Sequence, residues 1–267
     1  MRRLLLSDGR SLAWREAGEG PPLVLLHGWA MSAAVFTEAL DHLSNRVRVL
    51  APDLRGHGAS EGGPGYGFAD FAADLREWMD ALDLRDAVMG GWSMGGQVLL
   101  ELYPAVRRRV RRLMLIAATP RYASGGDWSK GLPEGQIRVM ARDLKRNYLK
   151  AMGDFFALQF AGEEIDRVRH RRIIDFAVRQ GKLPAPETAL AALESLRRGD
   201  QRDCLGGIDC PALVLHGELD RVVPPDAGRY LAEHLPQAQL VLLSGVGHAP
   251  FLSRPREMFE QWRNFCE

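Results

Sequence analysis

Apolar positions along this 267-residue chain fall into two alternating rhythms. Short, mostly apolar runs predict strands at Leu23–His27, Val47–Leu50, Ala87–Gly90, Arg112–Ala117, Ala212–His216 and Leu240–Leu243. The continuous run at Leu23–His27 predicts a fully buried strand. Between them, apolar residues recur at helical spacing. Phe71, Leu75, Trp78, Met79 and Leu82 mark a helix from Phe68 to Leu82. Further helices are expected over about Ala34–Leu43, after Ser93 to near Tyr103-Pro104, over Pro225–Leu235 and over Arg256–Phe265. At the start, Leu4–Leu6 and Leu12–Glu16 flank Asp8-Gly9, the pattern of a hairpin with a tight turn.

The alternation stops from Thr119 to about Gly207. That stretch holds helical patterns and no convincing strand. Ile137, Met140, Leu144, Tyr148 and Met152 predict one helix face, Ile165, Val168 and Ile173 a second, and Leu190, Leu193 and Leu196 a third. Strands alternating with helices imply an α/β fold, a mostly parallel sheet flanked by helices. The expected organisation is a core of residues 1–118 and 208–267 with a helical lid, 119–207, over the C-terminal strand ends, where open α/β sheets bind ligands. A packing insertion without a role at the site is the alternative.

Composition narrows the function. With 46% hydrophobic residues the chain can build one large core. A net charge of +1 points neither to nucleic acid nor to a membrane surface. The apolar run Leu4–Leu6 is too short for a signal peptide or a spanning helix. Cys204, Cys210 and Cys266 lack the number for a disulfide framework and the partners for a zinc site, so reduced thiols in a cytoplasmic protein are expected. No metal and no organic cofactor is expected, and a monomer is.

The chemistry centres on Gly91-Trp92-Ser93-Met94-Gly95, a G-x-S-x-G pattern between a strand and a helix. Such a turn is tight enough to need its glycines and lifts the serine hydroxyl clear of the sheet. A serine is a poor nucleophile until a base takes its proton and an acid orients that base. Asp220, on the loop after the Ala212–His216 strand, and His248, in the glycine-rich loop after Leu240–Leu243, follow in the order serine, acid, histidine. Glu218 is the alternative acid. Of the other histidines, His42, His170 and His234 lie on helical patterns and are read as solvated. His216 is read as bonding backbone, His27 as structural, and His57, in the Gly-rich loop Asp53–Ser60, as close to the site mouth. Asp53 and Arg55 read as a buried loop clamp. Acyl transfer also needs donors for a developing oxyanion. The backbone N–H of Met94 and that of Trp29, after His27-Gly28, are the candidates, and the Trp29 ring can wall the pocket or pack in the core.

Together, Leu26-His27-Gly28-Trp29, Asp53–Ser60, Gly91–Gly96 and the Asp220 and His248 loops resemble the α/β-hydrolase superfamily over essentially the whole chain outside the lid. A narrower resemblance rests on Trp29 after His27-Gly28, the Gly91-Trp92-Ser93-Met94-Gly95-Gly96 turn, Thr119-Pro120-Arg121-Tyr122 followed by Asp127-Trp128, Phe155-Phe156-Ala157-Leu158-Gln159 and His248-Ala249-Pro250-Phe251. These are similar to the carboxylesterases that hydrolyse the methyl ester of pimeloyl-acyl carrier protein in biotin synthesis. Met94 departs from that pattern, where leucine is expected, and Arg55-Gly56-His57-Gly58 is the generic superfamily form. The resemblance implies substrate contacts from Trp29, Ser93, Met94, His248 and Phe155, Phe156, Ala157, Leu158 and Gln159. It implies an ester linked to acyl carrier protein as substrate. Small esters are the alternative, as are a carbon–carbon bond hydrolase, a perhydrolase and a ligand-binding protein that keeps the three residues. Acyl carrier protein is acidic, and Thr119–Gly207 holds 16 Lys and Arg against 12 Asp and Glu. Arg138, Arg142 and Arg146 on one helical pattern are candidate docking residues, with solvated charge as the alternative.

Overall fold

The computed structural model describes all 267 residues. In chain order the strands are β1 (Arg2–Leu5), β2 (Ser11–Ala17), β3 (Pro22–Leu26), β4 (Arg48–Pro52), β5 (Ala87–Trp92), β6 (Val110–Ile116), β7 (Ala123–Ser124), β8 (Leu132–Pro133), β9 (Ala212–Gly217) and β10 (Ala238–Leu243). The helices are α1 (Thr37–Leu43), α2 (Phe68–Ala81), α3 (Met94–Val106), α4 (Glu134–Arg146), α5 (Tyr148–Leu158), α6 (Arg167–Ile173), α7 (Pro186–Arg198), α8 (Pro225–His234), α9 (Pro250–Ser253) and α10 (Pro255–Cys266).

Eight strands form one sheet in the order β1-β2-β4-β3-β5-β6-β9-β10. The β1–β2 and β2–β4 pairs are antiparallel and all later pairs parallel. The centre of the sheet explains the unbroken apolar runs. β5 and β9 are buried at every residue, because helices cover both faces. On α2, Phe68, Phe71, Leu75, Trp78 and Met79 form the buried stripe, and Asp70 accepts from the Gly67 N–H to close its first turn. Trp78 meets Trp14 of β2 edge to face at 5.9 Å, tying the helix layer to the hairpin.

Residues between β6 and β9 are mostly helical. Three local expectations differ there. The single helix predicted through Met152 is two helices. Asn147, at φ −153° and ψ 89°, leaves the helical region and its side chain caps α5 by accepting from the Lys150 N–H. Val168, expected on a buried face, is 79% exposed, while Ile173 of the same helix is buried. Two residues each of β7 and β8 pair where no strand is expected, too short to leave a periodic signal. In the core, α3 runs two residues past Pro104, within its final turn.

Candidate active site

Parallel pairing aligns the C-terminal ends of β3, β5, β9 and β10, and each ends in a loop that carries one of the residues in question. Ser93 follows β5 directly. Its φ of 55° and ψ of −119° lie outside the regions an ordinary side chain adopts, a conformation that costs on the order of 1–3 kcal/mol. Packing imposes it. A Cβ on Gly91 would meet the Gly95 carbonyl oxygen at 2.5 Å, and one on Gly95 would meet the Leu26 carbonyl oxygen at 2.4 Å. The Ser93 N–H donates to the Ile116 carbonyl of β6 at 2.9 Å, and the Ser93 carbonyl accepts from Gly96 at 2.9 Å.

The loop after β9 places Asp220. Its Oδ1 accepts from the N–H groups of Val222 and Val223 at 2.8 and 2.9 Å. Its Oδ2 accepts from His248 Nδ1 at 2.7 Å. An ionised carboxylate only accepts, so the His248 proton sits on Nδ1 and Nε2 is left bare. Burial pushes the Asp220 carboxyl up, but the His248 ring and the bonds from His216 and His248 outweigh it and hold it well below the usual carboxylate range. His248 is held from both sides. Trp92 Nε1 donates to its carbonyl at 2.9 Å, and its own N–H donates to the Gln159 carbonyl at 2.8 Å. No hydrogen bond joins Ser93 to His248 in this conformation. Glu218, the alternative acid, is exposed and makes no bond to His248.

The β3 loop supplies Trp29, whose backbone N–H makes no hydrogen bond. Met94 is the first residue of α3, where helical N–H groups have no acceptor within the helix. Both side chains are buried. The Trp29 ring donates through Nε1 to the Ala189 carbonyl at 2.9 Å and meets Phe155 edge to face at 4.8 Å. It therefore packs between the sheet end and the helices above it. His27 Nε2 accepts from the Leu54 N–H at 3.0 Å and Nδ1 donates to the Gly28 carbonyl at 2.8 Å, so it ties the Trp29 loop to the next one. Asp53 accepts from Ala33 and Ala59, and Arg55 makes a two-pronged pair with Asp74: both are buried clamps. His57, expected near the site mouth, is instead wholly buried. Its Nδ1 donates to the Arg55 carbonyl, and its ring lies 5.3 Å from that of His27.

The Phe155–Gln159 stretch divides by face. Phe155, Phe156 and Gln159 are buried, while Ala157 and Leu158 are exposed. Two apolar cavities flank α5. One, of about 320 Å³, is bounded by Tyr122, Met140, Phe155, Leu158 and Val222. The other, of about 290 Å³, is bounded by Ala30, Met31, Met152, Phe156 and Leu183. The Gln159 amide has no partner for either its oxygen or its nitrogen, although the residue is 1% exposed. No periodicity signals that. On α4, Arg138 pairs with Glu134 and Arg142 with Asp143, while Arg146 borders an open hollow with Lys150. Arg169 and Arg172 of α6 both pair with the buried Glu38 of α1.

Known proteins agree with this architecture. The model of the alpha/beta hydrolase fold family matches residues 21–255, and the chain belongs to that family. It is a carboxylic ester hydrolase. Among its relatives is the pimeloyl-acyl carrier protein methyl ester esterase of Nitrosomonas europaea, 37% identical over 90% of this chain and 93% of that protein. The enzyme of the same name from Yersinia pseudotuberculosis is 32% identical over 97% of this chain and 98% of its own. Among solved structures, an esterase from Exiguobacterium antarcticum superposes with a TM-score of 0.91 over 99% of this chain and 98% of that one, at 24% identity, a likeness of fold.

Proposed function

We propose that the protein is a serine carboxylesterase that hydrolyses the methyl ester of pimeloyl-acyl carrier protein in biotin synthesis. The observation that carries the chemistry is the Asp220–His248 pair: a buried, fully bonded carboxylate fixes the histidine tautomer whose free Nε2 acts as base. His248 takes the proton of Ser93 as the hydroxyl attacks the ester carbonyl. The N–H groups of Met94 and Trp29 hold the oxyanion. The tetrahedral intermediate collapses, and methanol leaves with the proton that His248 returns. Water, deprotonated by His248, then attacks the acyl-enzyme and releases the acid and Ser93. The enzyme is proposed to act as a monomer. Three unpaired cysteines support a cytoplasmic place of action, and no helix is long and apolar enough to cross a membrane.

Residues 119–207 serve as a cap, with Phe155, Phe156, Ala157, Leu158 and Gln159 bordering the acyl chain. The cavities beside α5 support this reading for Phe155 and Leu158, which line one, and for Phe156, which lines the other. Arg138, Arg142 and Arg146 form the carrier-protein docking face. A broad short-chain esterase is the second reading, favoured because Arg138 and Arg142 already pair with acids of their own helix.

Turnover of p-nitrophenyl acetate and butyrate, abolished in Ser93→Ala, tests the chemistry; a fully active Ser93→Ala would exclude it. Reversing the charge of Arg138, Arg142 and Arg146 is expected to weaken turnover of the carrier-bound ester and spare small esters. Equal loss on both would remove the docking face. Rescue of a biotin-requiring strain that lacks its own methyl esterase separates the two readings, and failure of a well-expressed protein favours the broad esterase.

A further inference from the structure

A second histidine touches the acid. His216, in β9, is wholly buried. Its Nε2 lies 3.0 Å from the Val223 carbonyl oxygen and 3.2 Å from Asp220 Oδ2. A carbonyl only accepts, so the His216 proton sits on Nε2, within reach of both oxygens. The other nitrogen, Nδ1, faces α8 at Gly228, where a Cβ would come within 2.5 Å of it, and it has no partner. The ring is therefore held against α8 on one side, with its one N–H on the Val223 carbonyl and beside the carboxylate.

Counting donors shows what this does. Asp220 Oδ1 receives two backbone N–H groups, Oδ2 receives His248 Nδ1, and the His216 Nε2–H, bonded to the Val223 carbonyl, stands with its nitrogen 3.2 Å from Oδ2. Oδ2 is the oxygen that faces His248, so whatever charge His216 draws from it is not felt by the His248 ring. Tyr122 and Glu163 are the other titratable groups that feel this carboxylate, and burial, reinforced by Asp220, raises both.

We propose that His216 is a positioning residue: its Nε2–H, held by the Val223 carbonyl with its nitrogen 3.2 Å from Oδ2, orients Asp220 and limits how strongly the carboxylate favours a proton on His248. This rests on the reading of Ser93, Asp220 and His248 given above. With the donor removed, more negative charge faces His248, the imidazolium is better stabilised, and a higher pH is needed to free the base.

The test is the pH dependence of kcat/KM on p-nitrophenyl butyrate for the wild type, His216→Leu and His216→Gln. Glutamine can place an amide N–H where Nε2 stands, and leucine cannot donate. In His216→Leu the acid limb is expected to move up by roughly 0.5–1 pH unit, with kcat falling roughly three- to tenfold and KM little changed. His216→Gln is expected to restore most of both. An unmoved limb in His216→Leu, or a limb equally displaced in His216→Gln, overturns the inference. Ser93→Ala and Asp220→Asn run alongside. If either keeps wild-type turnover, the reading of the site fails and takes this inference with it. If both are inactive and the limb stays put, this inference alone fails. Should His216→Leu not fold, ¹⁵N-histidine NMR of the wild type decides, with His216 assigned by its absence from His216→Gln: a proton on Nε2 supports the proposal and a proton on Nδ1 overturns it.

Discussion

Lowering the pH should unfold this protein through two histidines that take no part in the proposed chemistry. Burial lowers His27 to about 4; burial, with His27 beside it, lowers His57 to about 3. In the unfolded chain both regain an ordinary value of 6.5. Both folded-state values are depressed, so below pH 6.5 the unfolded state binds more protons. The stability these rings carry is complete above that pH and is lost as pH falls toward 4 and 3. At pH 5 the loss is about 2 kcal/mol per ring, or about 4 kcal/mol for the pair, relative to pH 8. Carboxylates with lowered values add little until nearer pH 4. His57→Asn isolates half of this. Its amide nitrogen can replace Nδ1 and keep the bond to the Arg55 carbonyl, while the lost Nε2 has no partner. The variant gives up some packing at every pH, about 1–2 kcal/mol. Its loss between pH 8 and pH 5 should nevertheless be about 2 kcal/mol smaller than that of the wild type. Urea unfolding followed by tryptophan fluorescence at pH 8, 6.5 and 5 reads this directly. Equal pH losses in the two proteins would refute the claim that buried, neutral histidines set the acid limit.

Gly28→Ala should lower kcat at least tenfold while the circular dichroism spectrum is unchanged, because the new Cβ would stand 3.2 Å from Ser93 Cβ and from the Trp92 ring; wild-type labelling of Ser93 by a fluorophosphonate would contradict it. Glu38→Leu should cost about 3–5 kcal/mol in urea unfolding, since it strands Arg169, which makes a bidentate pair with Glu38. A loss under 1 kcal/mol would show that this bridge between α6 and α1 does not hold the helices to the core.

The fold class was legible because strand and helix periods differ and alternate cleanly outside 119–207. The break at Asn147 was not, since the apolar spacing of Ile137, Met140, Leu144, Tyr148 and Met152 is continuous across it and only the asparagine marks a cap. Exposed Val168 looked buried for the same reason: spacing reports a face without saying what covers it. At the site, residue type and loop position singled out Asp220 and His248, which the structure brings to 2.7 Å. His57 reads as a mouth residue from its glycine-rich loop, yet the Asp53 and Arg55 clamps fold that loop inward. The His216 contact had a faint signal, four residues before Asp220 across a turn, but whether a strand-end ring points to the carboxylate is a matter of packing. The partnerless amide of Gln159 left no sequence signal.

On the proposed reading, Ser93 cleaves a methyl ester carried on acyl carrier protein. Purified enzyme incubated with pimeloyl-acyl carrier protein methyl ester, with mass spectrometry of the intact carrier species, tests it most directly. A 14 Da loss at the acyl group (about one CH₂, ester to acid) is expected with the wild type and none with Ser93→Ala. A carrier-bound ester left intact by an enzyme that turns over p-nitrophenyl butyrate would contradict it.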